Sequence, residues 1–312
     1  VVLGAHTDLE ALRTAANGAA ALTFDHEHVP GELLETLVDE GVPVLPGPQA
    51  LRYAQDKLAM RRRLAELGAP VPRFTAVQSV EDVDAFADLI GGPVVVKTVR
   101  GGYDGRGVVL ADDVAGARDA VAGYLRDGVA VLLEERVAMR RELAALVARS
   151  PLGQGAAWPV VETVQRDGIC VTALAPAPGL SDEVAAQAEQ LALRIADELG
   201  VVGVLAVELF ETTGGALVVN ELAMRPHNSG HWTMNGAVTS HVRIGPDPAA
   251  LHAVRIGPGN ADLLLACDMV VAADPRTLSR TQKGATHAVV NTHLTPTAEF
   301  TLNPAVQFRD RQ

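Results

Sequence analysis

The chain has 312 residues, enough for about two domains at roughly 150 residues each. Hydrophobic residues make up 48% and charged residues 21%, ordinary values for a globular protein. The 26 basic residues against 38 acidic ones leave a net charge of −12, which argues against a general binder of nucleic acid or anionic membrane.

No apolar run reaches the roughly 18 residues that a bilayer span requires. The two cysteines, Cys170 and Cys267, exclude a disulfide framework and fit a reducing, cytoplasmic setting. The sequence opens inside an apparent strand, Val1-Val2-Leu3-Gly4, with no signal-peptide pattern, and so reads as a fragment. Up to residue 52, helices over Leu9–Ala16 and Glu32–Glu40 alternate with strands at Ala20–Phe24 and Val42–Leu45, the mark of a parallel sheet with helices packed on it. No complete glycine-rich nucleotide turn accompanies them, so this is at best half of a Rossmann-like domain, with apolar faces expected to lie uncovered. A helix follows over 55–68, with Leu58, Leu64 and Leu67 apolar and Gly68 as its stop. Ser79 is predicted to cap a helix running to Ile90, with Asp82 three residues on.

Strands at Val94–Val99 and Val108–Ala111 flank a glycine-rich turn, and a helix over 112–126 leads to the strand Val129–Glu134. More strands fall at 142–149, 158–164 and 168–175. A helix runs from Ser181 to Gly200, and 201–211 with 216–222 reads as a hairpin around Thr213-Gly214. This middle part is α+β with antiparallel strands. Beyond Ser240, Val242-Arg243-Ile244-Gly245-Pro246 recurs as Val254-Arg255-Ile256-Gly257-Pro258, two copies being too few for a repeat architecture. Segments 261–273 and 288–291 look like buried strands of another α/β unit.

Five features bear on chemistry. Gly101-Gly102-Tyr103-Asp104-Gly105-Arg106-Gly107 lies between two strands, so it is no dinucleotide turn; it is either a flexible surface hairpin or a tip that closes over phosphates with its backbone N–H groups. Lys97, at the end of Val94-Val95-Val96, either snorkels to the strand end or points at a phosphate, and the adjacent glycine loop shifts the balance to phosphate. Glu208 should face residues 219–221 across the hairpin, bringing Glu208, Asn220 and Glu221 together unless the register puts the two carboxylates on opposite faces. Close carboxylates need a proton or a cation between them, and oxygen-only ligands suit Mg²⁺, with Mn²⁺ as its substitute. The run Arg225-Pro226-His227-Asn228-Ser229-Gly230-His231-Trp232 reads as a substrate loop; with no thiolate near and no helical spacing of its histidines, zinc is disfavoured. A strand end at Glu134-Glu135-Arg136-Val137, with Glu142 beyond it, suits adenine and ribose recognition, although such glutamates are commonly plain surface.

Together these elements resemble the ATP-grasp superfamily, and GGYDGRG followed by NELAMRPHNSGHW is similar, within it, to the 5-(carboxyamino)imidazole ribonucleotide synthases of purine biosynthesis; FDHEHVP at 24–30 and AQDK at 54–57 also fit. The resemblance covers about residues 1–240. It implies a truncated Rossmann-like pre-ATP-grasp domain (1–52) and an ATP-grasp domain (53–240) with a lid near 75–150. It also implies an ATP-dependent carbon–nitrogen ligase in which bicarbonate becomes carboxyphosphate and carboxylates 5-aminoimidazole ribonucleotide. On this resemblance Lys57 and Lys97 contact ATP phosphates, Gly102–Val108 (with Gly105 and Gly107) form the lid, Glu134, Glu135 and Val137 hold adenine, and Glu142 holds ribose. Glu208 and Glu221 bind the metal beside Asn220. Tyr103, Asp104, Arg106 and the loop Arg225, His227, Asn228, His231 address 5-aminoimidazole ribonucleotide and bicarbonate. Gln165 stands where many relatives carry a His at the nucleotide site. Relatives also suggest a homodimer. The missing opening unit and missing C-terminal domain predict weak activity.

Residues 236–312 resemble instead the C-terminal gamma-type domain of indolepyruvate ferredoxin oxidoreductases, on HVRIGPDPAALHAVRIGPGNADLLLACDMVVAADP and AVVNTHLTPTAEFTLNP. This predicts a short unrelated α/β tail over 241–312 and a junction of two coding sequences within Gly236–Ser240.

Overall fold

A computed structural model describes residues 3–102, 107–166, 169–233, 256–266 and 275–290. They belong to two compact units, Val1–Thr233 and Met234–Gln312.

The first unit opens with helix α1 (Leu9–Ala16), matching its predicted bounds; Asp8 caps it by accepting from Glu10 N at 3.0 Å. Helix α2 (Gly31–Asp39) buries Leu34 and Leu37 completely. The strands predicted on either side shrink to one parallel bridge, Leu22 with Val44. Pro43 and Pro46 flank Val44 and have no N–H with which to extend a ladder. The predicted helix over 55–68 is present as α4 (Lys57–Glu66), two residues shorter at each end, and a further helix that the sequence reading does not include, α3 (Pro48–Gln55), precedes it. Asp56 between them is extended, and its side chain accepts from Ala59 N at 2.8 Å, starting α4 afresh.

A four-stranded antiparallel sheet follows, from β1 (Phe74–Ala76), β2 (Val94–Thr98), β3 (Val108–Leu110) and β4 (Val131–Glu135), in the order β1-β4-β2-β3. Helices α5 (Asp82–Ile90) and α6 (Val114–Arg126) cover one face, burying Val83, Phe86 and Val121 against Val94, Val96 and Leu133. The cap expected of Ser79 runs in reverse: Asp82 accepts from Ser79 N at 2.9 Å and from Gln78 N at 2.7 Å.

The larger sheet is built from β5 (Met139–Arg149), β6 (Gly155–Ala157), β7 (Val161–Arg166), β8 (Ile169–Leu174), β9 (Gly203–Thr212) and β10 (Leu217–Ala223). Its order is β10-β9-β5-β7-β8, with β6 paired to β5. Helix α7 (Asp182–Glu198), capped by Ser181 as predicted, packs Leu191 and Ile195 onto one face of it. That core takes Leu143, Ala145 and Val147 from alternate positions of β5 and Leu205, Val207 and Leu209 from β9. It also includes Phe24, Leu34, Leu37, Leu51 and Leu64, so these apolar residues of the opening segment and α4 are covered rather than left open. Each fully buried leucine there is worth roughly 2–5 kcal/mol against alanine. Four residues after β10, a short 3₁₀ segment spans Asn228–Thr233.

In the second unit, β11 (Leu263–Ala266) and β12 (His287–Val290) pair in parallel. They are less enclosed than predicted, Leu263 being 51% and Val289 61% exposed. The first VRIGP copy, Cys267 and the proposed junction lie outside the described residues.

Candidate active site

One face of each sheet in the first unit lines a common cavity of 1230 Å³. On the smaller sheet, Val95 pairs with Glu134 and Lys97 with Leu132, so Lys97 and Glu134 are diagonal neighbours on the pocket face. Neither is free. Lys97 Nζ lies 3.0 Å from Glu134 Oε2 and donates to Asn220 Oδ1 at 3.0 Å, while Glu134 Oε1 accepts from Arg61 Nε at 2.6 Å. Burial by itself would push the Glu134 carboxyl up, but the charges of Lys97 and Arg61 hold it below the ordinary carboxylate value. Lys97 is therefore a buried, compensated ammonium rather than one snorkelling to water.

The glycine loop above it explains its composition. Gly101, Gly102 and Gly107 all have positive φ. At Gly107 a Cβ would lie 2.4 Å from Thr98 Oγ1, so only glycine fits. Tyr103, Asp104, Gly105 and Arg106 lie outside the described residues. Lys57, at the start of α4, anchors beside this loop through its N–H to Val99 O at 2.9 Å, and its ammonium is 3.6 Å from Glu221 Oε1.

On the larger sheet, Glu208 sits directly opposite Glu221, as the hairpin register predicts. A bulge between Val219 and Glu221 lets Asn220 and Glu221, neighbours in sequence, both line the cavity. Asn220 Nδ2 donates to Glu208 Oε2 at 3.3 Å, and Glu208 Oε1 meets His227 Nε2 at 3.0 Å. The other ring nitrogen of His227 is 2.7 Å from the Oγ of buried Ser229, which fixes the ring. Desolvation pushes the Glu208 carboxyl up, but His227, Lys97 and Asn220 outweigh it and hold it low. Among the described residues no cluster of three or more metal-type side chains occurs. The donor set is two facing carboxylates, which fits a hard divalent cation that takes its other oxygens from phosphates and water.

Glu142 and Phe210 pair across β5 and β9 and line the same cavity, with Gln165 and Cys170 from β7 and β8. Burial raises the Glu142 carboxyl; Glu208 adds to this, while Gln165 and Lys97 oppose it. Burial also raises the Cys170 thiol. Glu135 lines the cavity near Val137 and holds Arg73, with Glu135 Oε2 accepting from Arg73 Nε at 2.7 Å. Arg225, His227 and Asn228 line the cavity too; His231 lies in the 3₁₀ segment.

Two charged residues to which the sequence reading gives no role make contacts around the site. Glu27, inside the quoted FDHEHVP run, accepts from Arg225 Nε at 2.8 Å and from Met224 N at 3.1 Å. Arg61, fully buried, joins both sheets.

A glycine-rich hairpin and a lysine on one sheet, facing paired carboxylates and an asparagine on another, define a nucleotide grip of the ATP-grasp kind. Residues 62–242 match the ATP-grasp domain family, and the chain belongs to it. Its N-terminal part is similar to N5-carboxyaminoimidazole ribonucleotide synthase of Mycobacterium tuberculosis, 68% identical over 240 residues, which is 77% of this chain and 56% of that protein. The carboxyaminoimidazole ribonucleotide synthase of Aspergillus clavatus complexed with ATP superposes with a TM-score of 0.69 at 30% identity, over 74% of this chain and 60% of that one. The N5-carboxyaminoimidazole synthase from the same organism, in complex with ADP and 5-aminoimidazole ribonucleotide, superposes at 0.67 and 29% identity, over 76% and 62%. The chain thus spans little more than half the length of the curated relatives it matches.

Proposed function

We propose that the chain carries an ATP-dependent carbon–nitrogen ligase activity of purine biosynthesis, the carboxylation of 5-aminoimidazole ribonucleotide with bicarbonate. The observation that carries this reading is the placement of Lys57 and Lys97 against Glu208, Asn220 and Glu221 around one cavity. It is joined by the 68% identity to a synthase of that name.

A bicarbonate oxygen attacks the γ-phosphorus of ATP, ADP departs, and carboxyphosphate forms. The exocyclic amine then attacks the carboxyl carbon, phosphate leaves, and the amine loses a proton to give the carbamate. Phosphoryl transfer asks the protein chiefly for positioning and charge. Lys57 and Lys97 hold phosphate oxygens; Glu135, Val137, Glu142 and Gln165 take the nucleoside end, where the Glu134 backbone follows the same strand. The glycine-rich segment with Gly102, Gly105 and Gly107 is assigned to the phosphates, and Tyr103, Asp104 and Arg106 to the ribonucleotide. Arg225, His227, Asn228 and His231 address bicarbonate and the amine, with His227 held by Glu208 and Ser229. Glu208 and Glu221 would hold Mg²⁺ or Mn²⁺, whose chemistry is neutralisation of the triphosphate. The same reading includes a homodimer in the cytoplasm.

For the tail we propose a gamma-type indolepyruvate ferredoxin oxidoreductase origin, joined within Gly236–Ser240, on the sequence resemblance of residues 236–312 alone. Reading source DNA across the junction tests it, and two separate loci would refute it. The enzymatic proposal is tested by ADP release that requires both 5-aminoimidazole ribonucleotide and bicarbonate. ATP binding without such turnover would reduce the chain to a binding fragment.

A further inference from the structure

Arg61 is one of three consecutive arginines on α4, yet its neighbour Arg62 is exposed while Arg61 is completely buried. It lies four residues after Lys57, on the same face of the helix. Its Nε donates to Glu134 Oε1 at 2.6 Å and its Nη2 to the Asn220 carbonyl at 2.7 Å, while Nη1 has no hydrogen-bond partner among the described residues. Both partners belong to the walls of the cavity, one on each sheet.

We propose that Arg61 is a positioning residue for the phosphate end of the cavity, an inference that rests on the nucleotide-binding reading above. It acts in two ways. The first is charge. Glu134 faces two cations, Arg61 and Lys97, so the buried triad is net positive. Without Arg61, Glu134 and Lys97 would close into a neutral pair, and in a low-dielectric wall that pairing would turn the ammonium away from a phosphate. The second is shape. The register passes from Val219 with Leu209 to Glu221 with Glu208, so Asn220 has no residue opposite it in the β9 ladder. Arg61 takes up its carbonyl. Held there, Asn220 reaches Lys97 through Oδ1 and Glu208 through Nδ2, and Glu221 also faces the cavity. A planar fork with several donors can bind a carboxylate and a carbonyl together, as an ammonium does less well.

The test uses the full chain and two variants, Arg61→Lys and Arg61→Met, with folding checked by circular dichroism. Dissociation constants for ATP and for adenosine are measured by competition against a fluorescent ATP analogue. Removing the charge and the fork in Arg61→Met raises the ATP constant about tenfold or more, whereas adenosine, without phosphates, stays within about twofold. Arg61→Lys keeps the charge and loses the fork, so ATP weakens by only about threefold and adenosine is unchanged. An arginine that merely stabilises the fold would weaken both ligands in parallel, and that result, or unchanged ATP binding, overturns the inference. If Arg61→Met does not fold, Arg61→Lys decides by the same ratio. Failure of the unaltered chain to bind ATP would bring down the nucleotide reading and this inference with it; ATP binding with unshifted variants brings down the inference alone.

Discussion

The two walls of the cavity hold charge in different ways. On the β2–β4 wall, Lys97 and Glu134 are 6% and 2% exposed, and every charge is answered within hydrogen-bond distance. On the β9–β10 wall, Glu208 and Glu221 face each other with side chains 28% and 32% exposed. Their positive neighbour at Glu221, Lys57, stands 3.6 Å off, and Glu208 leans on a histidine. On the first wall every charge meets an opposite one within the protein, with one positive charge in surplus, the charge that the proposed reading gives to phosphate. The second carries an acidic surplus that a cation would resolve. The two are coupled through Asn220, which touches Lys97 on one side and Glu208 on the other.

Breaking the first wall should have the largest effect. Glu134→Gln leaves Arg61 and Lys97 buried without their counter-charge, and loss of one partner from such a pair costs about 3–5 kcal/mol. The sign with pH follows from the direction of the shift: Lys97 and Arg61 hold the carboxyl below its ordinary value against the pull of burial. Its contribution is therefore present above the unfolded-state value and lost as pH falls through the folded-state value. Urea unfolding should show the full gap near neutrality and a shrinking one in acid. Superimposable curves at neutral pH would show that the wall is not held together by charge.

The acidic wall should respond in the opposite sense. Glu221→Ala removes one of the facing carboxylates from a partly exposed position, so the melting temperature should move by no more than about 2–4 °C. ATP turnover should fall at least about 100-fold, because neutralisation of the triphosphate is lost. Unchanged ADP release from a folded variant would withdraw the metal assignment and, with it, the contrast between the walls.

What was legible in the sequence was whatever depended on near neighbours. Leu9–Ala16 and the Ser181 cap were found because caps and amphipathic spacing are local signals. Glu208 opposite Glu221 was found because a tight turn fixes register for several residues on either side. The apolar runs at 20–24 and 42–45 predict full strands, but Pro43 and Pro46 cut the ladder to a single bridge. β1 and β6, of 3 residues each, are too short to show a period. The buried arginine was invisible because its partners lie 73 and 159 residues away, and the clamp between Glu27 and Arg225 spans 198 residues. Such contacts exist only after both sheets have formed.

The smallest effect sharpens the contrast most. Glu142 lies on the acidic side of the cavity, where burial raises its carboxyl, Glu208 raises it further, and Gln165 and Lys97 only partly offset this. A raised folded-state value means that the ionised form is less welcome in the folded protein than in the unfolded chain. Its favourable contribution is thus present in acid, below the unfolded value of about 4.3, and is lost as pH rises through the folded-state value. Glu142→Gln should accordingly melt about 1 °C higher than the unaltered chain near neutrality and lose that advantage in acid. This is the reverse of the profile for Glu134→Gln. If both variants changed stability in the same sense with pH, the acidic surplus would be fully compensated inside the protein, and the second wall would need no cation.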